Sequence, residues 1–183
     1  MSKPAVLVFA GPNGSGKSTI ARLTPHQGVY INADDLQKEY AITDLEAAQN
    51  AEILRHKLVE KKVDFTFETV LSTERNLLLL KKAKGNGYEV QCIYVLTCNA
   101  DINVARIRGR VRDGGHDVPD DKVRSRYVKA LELLPHVIDV CDKMLIYDNS
   151  VMPYLVFKKD EDGNVYFPSE IWPINELKEL LKR

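Results

Sequence analysis

Cysteine is scarce: the 183 residues hold three, Cys92, Cys98 and Cys141. An odd number, with no C-x-x-C pair and no matching histidine spacing, excludes a disulfide framework and a zinc knuckle. The four histidines, at 26, 56, 116 and 136, show no metal-ligand spacing of their own. Net charge is missing too. Lys+Arg and Asp+Glu both number 26, so no overall field marks the chain as a binder of nucleic acid or of membrane surfaces. No apolar run approaches the ~20 residues that span a bilayer. The six-residue run from Ala5 is shorter than a secretory core and leads into a glycine loop, not a cleavage site. The N-x-S sequon Asn13-Gly14-Ser15 lies inside that loop, where a glycan would block it. A cytoplasmic protein is expected.

The composition, 44% hydrophobic and 28% charged, is that of an ordinary globular chain, and the length suits a single domain over 1–183. Short β-branched or aromatic runs alternate with longer helical patterns, which signals an α/β fold with a parallel sheet between helices. Strands are predicted near 5–10, 28–32, 64–69, 88–97 and 143–148. Ala48, Ala51, Leu54 and Leu58 mark the apolar face of a helix over about 44–62. A second helix starts after Ser72 or Thr73 and ends near Gly85 to Gly87. A third opens at Asp120 or Asp121, and Pro135 should kink or break it before Cys141. From about 153 to 183 the pattern becomes an antiparallel hairpin around Glu161-Asp-Gly-Asn164, then a last helix from Pro173.

Gly11-Pro12-Asn13-Gly14-Ser15-Gly16-Lys17-Ser18 satisfies G-x-x-x-x-G-K-[ST], directly after an apolar strand and before the helix that continues through Thr19. Glycines let successive N–H groups turn toward phosphate oxygens, and the helix adds the positive end of its dipole. Lys17 is then placed for the β- and γ-phosphates of ATP, and the Ser18 hydroxyl for Mg²⁺. Ligands in such sheets bind beyond the carboxyl ends of the strands. There the second strand runs into Asp34-Asp35 and the third into Glu68-Thr69. A positioned carboxylate must take the acceptor's hydroxyl proton, and Asp34 is the candidate; the alternative for Asp34 or Asp35 is to cap the next helix. Glu68 can bind acceptor hydroxyls or assist Mg²⁺ through water. Asp148-Asn149-Ser150 closes the fifth strand either at the base of the nucleotide or as a plain turn.

Between Val104 and Ala130 eight Lys+Arg face four Asp+Glu, a local positive excess in a neutral chain. Arg106 and Arg110 share one helix face; Arg108 and Arg112 share another about 200° away, so only one pair can face the phosphates. With the Gly114-Gly115 break, the stretch 104–126 reads as a lid whose arginines meet the transferring phosphoryl group. His116 reads as a loop or acceptor contact.

Together these residues resemble the zeta-toxin-like P-loop kinases, in particular the stand-alone bacterial members often labelled predicted ABC-type ATPases. The resemblance runs from Val6 to Ser150. It rests on the Gly11–Ser18 loop, Ile31-Asn-Ala-Asp34, Phe67-Glu68-Thr69 with Leu71-Ser72, Gly87-Tyr-Glu-Val90, Gly114-Gly-His-Asp-Val-Pro119 and Asp148-Asn-Ser150. It implies a P-loop NTPase fold of the small-molecule or nucleotide kinase type, with a central, mostly parallel five-stranded sheet. It also implies Lys17 on the phosphates, Asp34 as base, Glu68 and Thr69 toward the acceptor, and Arg112 and Arg126 as the lid arginines. Zeta toxins phosphorylate the sugar of UDP-N-acetylglucosamine and are held inactive by a small antitoxin, so a nucleotide sugar and such a partner are implied here. Nothing matches the L-S-G-G-Q signature of ABC ATPases. An ATPase switch acting through a partner would need a strong Walker B strand, and Cys92-Ile-Tyr-Val-Leu96 runs instead into Thr97-Cys98. A nucleic-acid 5′-kinase stays open as the other enzyme, favoured by the local patch and not by the neutral total.

Overall fold

The computed structural model describes residues 3–182. Strands β1 (Ala5–Ala10), β2 (Val29–Ile31), β3 (Phe65–Thr69), β4 (Glu89–Leu96) and β5 (Lys143–Asp148) run parallel in the order β2-β3-β1-β4-β5. The hairpin β6 (Tyr154–Asp160) and β7 (Gly163–Tyr166) does not stand apart. It pairs antiparallel with β5 and extends the sheet to seven strands. Connections leave β1 toward β2 and β3 on one side and β4 and β5 on the other, so a crevice opens beyond its carboxyl end.

Alternation along the strands sends side chains to two faces. Val6, Val8, Phe65, Phe67, Val90, Tyr94 and Ile146 join the main core, and Leu7, Phe9, Ile93 and Val95 meet Ala21 of α1 (Lys17–Leu23) on the other face. Asn32, not Asp34 or Asp35, caps α2 (Ala33–Tyr40): its Oδ1 accepts from the Asp34 N–H at 2.9 Å. Asp34 and Asp35 lie in the first turn, where a carboxylate meets the dipole without capping. A capping box of Thr43 and Glu46 starts α3 (Asp44–Lys61). Its buried stripe is Ala47, Ala51, Arg55, Leu58 and Val59; Ala48, expected inside, is exposed.

Helix α4 (Glu74–Gly85) precedes β4, and α5 (Ala100–Arg112) and α6 (Asp120–Val140) follow it. Pro135 does not break α6, because buried Leu134, Val137 and Ile138 hold that turn against the core while the proline forfeits one N–H. Helix α7 (Ile174–Leu181) closes the described chain, with Leu177 and Leu181 buried. Val104, Ile107, Val118 and Val123 form a small core of their own that binds α5, α6 and the 113–119 connection to each other. No helix of the described residues is long and apolar enough to cross a membrane.

Candidate active site

The turn from β1 into α1 is built so that only glycine fits. Gly11, Gly14 and Gly16 take φ values of 141°, 77° and 93°. A Cβ on Gly11 would lie 2.0 Å from the Val95 carbonyl oxygen, one on Gly14 2.6 Å from that of Asn103, and one on Gly16 2.3 Å from Asn149 Nδ2. Ser15 N–H closes the turn on Pro12 O at 3.2 Å. The first amides of α1 have no intrahelical partner and lie beside it, which suits a polyphosphate.

Two asparagines hold the loop from outside. Asn149 Nδ2 donates to Ser15 O at 2.8 Å, and Asn103 Nδ2 donates to Asn13 O at 2.7 Å. Asn103 Oδ1 in turn accepts from the buried Thr97 hydroxyl, and Tyr127 donates to Thr97 O at 2.6 Å. At the end of β4, where a motor protein would carry an acidic residue, a neutral network braces the loop instead. Asp148-Asn-Ser150 is therefore more than a turn: the Ser150 hydroxyl donates to buried Asp148 at 2.6 Å while Asn149 locks the loop.

Ser18 and Glu68 meet across the crevice, the Ser18 hydroxyl donating to Glu68 Oε2 at 2.6 Å. The other carboxylate oxygen accepts from the Tyr30 hydroxyl and from Asn32 Nδ2, the latter at 3.0 Å. This arrangement sets two hard oxygen donors side by side, a donor pair that fits Mg²⁺ beside a triphosphate. Lys17 sits among four charges. Burial pulls its pKa below the usual lysine value; Glu68 and Asp34 draw it back up, and Arg110 and Arg126 push it down. Asp34 is exposed at the start of α2, within the field of Lys17. Thr69 is occupied locally, its hydroxyl oxygen accepting from Leu71 N–H at 3.0 Å and Asn76 Nδ2 at 2.8 Å.

Helices α5 and α6 meet the loop through Asn103 and Arg126. Asn103, Arg106 and Arg110 lie on one stripe of α5; Asn103 touches the loop, Arg106 Nη2 donates to Ser150 O at 3.2 Å, and Arg110, exposed, donates from Nη2 to His116 O at 2.6 Å while its charge helps to lower the Lys17 pKa. Arg112, about 200° from Arg110 on the helix, lines an open cleft of about 740 Å³ with Arg108, Asp117 and Asp120 on the outer side. Arg126 does reach the loop, its Nη1 donating to Asn13 Oδ1 at 3.4 Å. His116 is exposed, with Nε2 3.8 Å from Asp44 Oδ2, so the 113–119 connection lies against the start of α3.

The profile of the zeta toxin family matches residues 1–151. The chain belongs to the zeta toxin family. It is a kinase on an ATP-using P-loop fold. An uncharacterized protein of Haemophilus influenzae is 32% identical over 127 residues, 66% of this chain and 91% of that one. A cytidylate kinase of Sulfurisphaera tokodaii is 31% identical over 116 residues, 59% of this chain and 62% of that one. Among solved structures, the PezAT chromosomal toxin–antitoxin system of Streptococcus pneumoniae aligns with 98% of this zeta toxin relative and 79% of that chain, at a TM-score of 0.60 and 20% identity. The AvrRxo1-ORF1:-ORF2 complex with ATP aligns at a TM-score of 0.74 and 14% identity, over 98% of this chain and 64% of that one. The family member described here thus spans less than two thirds of the cytidylate kinase and of the AvrRxo1 chain.

Sequence reasoning missed Asn103, Thr97 and Tyr30 as parts of the site, and it named Asn149 without its hold on the loop. An asparagine inside a helix is a poor helix former, and at position 103 that was the available signal.

Proposed function

We propose that this zeta-toxin-like kinase transfers the γ-phosphoryl group of ATP, with Mg²⁺, to a hydroxyl of a small molecule, and that the acceptor is a nucleotide sugar such as UDP-N-acetylglucosamine. The observation that carries the reading is the meeting of Lys17, Ser18, Glu68 and Asp34 at the carboxyl edge of β1–β3. Loop amides and Lys17 bind the β- and γ-phosphates. Ser18 and Glu68 would hold Mg²⁺, which supplies charge neutralisation between those phosphates. Asp34 accepts the proton of the attacking hydroxyl as its oxygen bonds to the γ-phosphorus and the bond to the bridging oxygen of ADP breaks. Arg110 and Arg126 face the charge that spreads over the equatorial oxygens. Family membership supports the nucleotide-sugar acceptor. The relatives solved as two-component systems support a small antitoxin partner, and a cytoplasmic location belongs to the same reading.

The test is incubation with ATP, Mg²⁺ and a pool of nucleotide sugars, followed by mass spectrometry. A UDP-sugar heavier by one phosphoryl group is expected. No such product, with 5′-phosphorylation of an oligonucleotide in a parallel reaction, would move the assignment to a nucleic-acid kinase.

A further inference from the structure

Arg55 is a cation placed where α3 should be apolar. It lies in the stripe of α3 that faces the sheet, is 8% exposed, and holds its guanidinium carbon 5.1 Å from the centre of the Phe67 ring. Its Nε is shielded from solvent and has no hydrogen-bond partner. Glu52, one turn earlier, is engaged by Arg75 at 3.2 Å. Burial lowers the Arg55 pKa to about 10, with Glu52 offsetting part of the effect. The Nε of this guanidinium is incomplete, because burial removes its water and no hydrogen bond replaces it.

Its location suggests what completes it. Helix α3 enters β3 through the short 62–64 connection, so the two run in opposite directions, and helical side chains lean toward the helix N-terminus. Arg55 therefore reaches toward the carboxyl edge of the sheet, over the residue that precedes Glu68. Phe67 belongs to the main core, whereas Glu68 meets Ser18 of α1, so Arg55 lies on the opposite face of β3 from the phosphate cradle. Helix α2, which carries Asp34, packs beside α3 on this side.

We propose that Arg55 anchors an anionic group of the acceptor, a phosphate or a carboxylate, while the acceptor's hydroxyl lies at Asp34. The assignment rests on the kinase reading above for the word acceptor. The planar guanidinium fork suits two oxygens of one anion, and a diphosphate-bearing or acid-bearing substrate would supply them.

The test uses the full chain loaded with a non-hydrolysable ATP analogue and Mg²⁺, so that the loop is filled. Inorganic phosphate, UDP and glucuronate are titrated into wild type, Arg55→Lys and Arg55→Met. Wild type should bind one of them on the order of 10–100-fold more tightly than Arg55→Met, as loss of a charge-assisted hydrogen bond implies. Arg55→Lys should fall between, and affinity for the ATP analogue should be equal in all three. Phosphate and UDP responding marks a phosphate-bearing acceptor; glucuronate alone marks a carboxylate. The melting temperature of Arg55→Met should not fall, because a buried charge with an orphaned Nε is removed. Equal anion affinity in wild type and Arg55→Met, or no anion bound by wild type, overturns the proposal; a lower melting temperature beside equal affinity makes Arg55 a core contact to Phe67. Anion binding that depends on Arg55 without phosphoryl transfer from ATP refutes the kinase reading alone, and transfer indifferent to Arg55 refutes this assignment alone.

Discussion

Gly16 and Asn149 are 133 positions apart, yet each is explained by the other, and a double-mutant cycle can measure the link. Gly16→Ala places a Cβ at φ 93°, a left-handed backbone that costs an L-residue about 1–2 kcal/mol. The same Cβ would stand 2.3 Å from Asn149 Nδ2, well inside van der Waals contact, so the clash adds to the strain. Asn149→Ala removes the 2.8 Å bond to Ser15 O, and an unsatisfied carbonyl costs about 1–3 kcal/mol. In the double variant strain and lost bond remain, but the clash disappears. Denaturant unfolding should therefore show the double variant more stable than the sum of the singles by about 0.5–3 kcal/mol. Affinity for an ATP analogue should follow the same order if the locked loop is the phosphate cradle. Single costs that add to within about 0.3–0.5 kcal/mol would mean that Asn149 swings aside, and the lock between β5 and the loop would have to be abandoned.

Lys17→Ala should abolish ATP turnover with the circular-dichroism spectrum unchanged; a folded variant with normal turnover contradicts its role on the phosphates. Asp34→Asn should lower kcat by about 10²–10⁴, the share of a positioned base, with ATP affinity nearly constant, while Asp35→Asn stays close to wild type; the reverse pattern would make Asp35 the base. Steady-state kinetics should show Arg110→Ala and Arg126→Ala losing more turnover than Arg112→Ala, since Arg112 faces the outer cleft, and equal losses would refute the choice of face. Amide exchange across 108–120 should slow on adding ATP and Mg²⁺ if the lid closes as one body on its small core; identical exchange with and without nucleotide removes lid closure from the mechanism.

What the chain declares by itself is local. The Gly11–Ser18 loop was legible because its conformation is decided within eight residues, by positive φ at glycines and a helix that begins at once. The five parallel strands and the bounds of α3, α4 and α6 were legible for a similar reason: periodicity and flanking turn residues act over one or two turns of chain. Orientation was not. Arg106 and Arg108 have the same type, the same helix and the same local charge, and only the packing of α5 through Val104 and Ile107 brings one to Ser150 O and sends the other to Asp120. The expected apolar face of α3 was Ala48, Ala51, Leu54 and Leu58, which leaves Arg55 out. The 47–51–55–58 stripe was chosen instead by how α3 lies against the sheet, which carries a cation into the interior. Asn103 and Asn149 belong to separate elements, and their work on the loop exists only once β4, β5 and α5 surround it. Tertiary structure decided these points because a side chain's partner depends on which face of its helix or strand is covered, and covering requires segments far apart in sequence to meet.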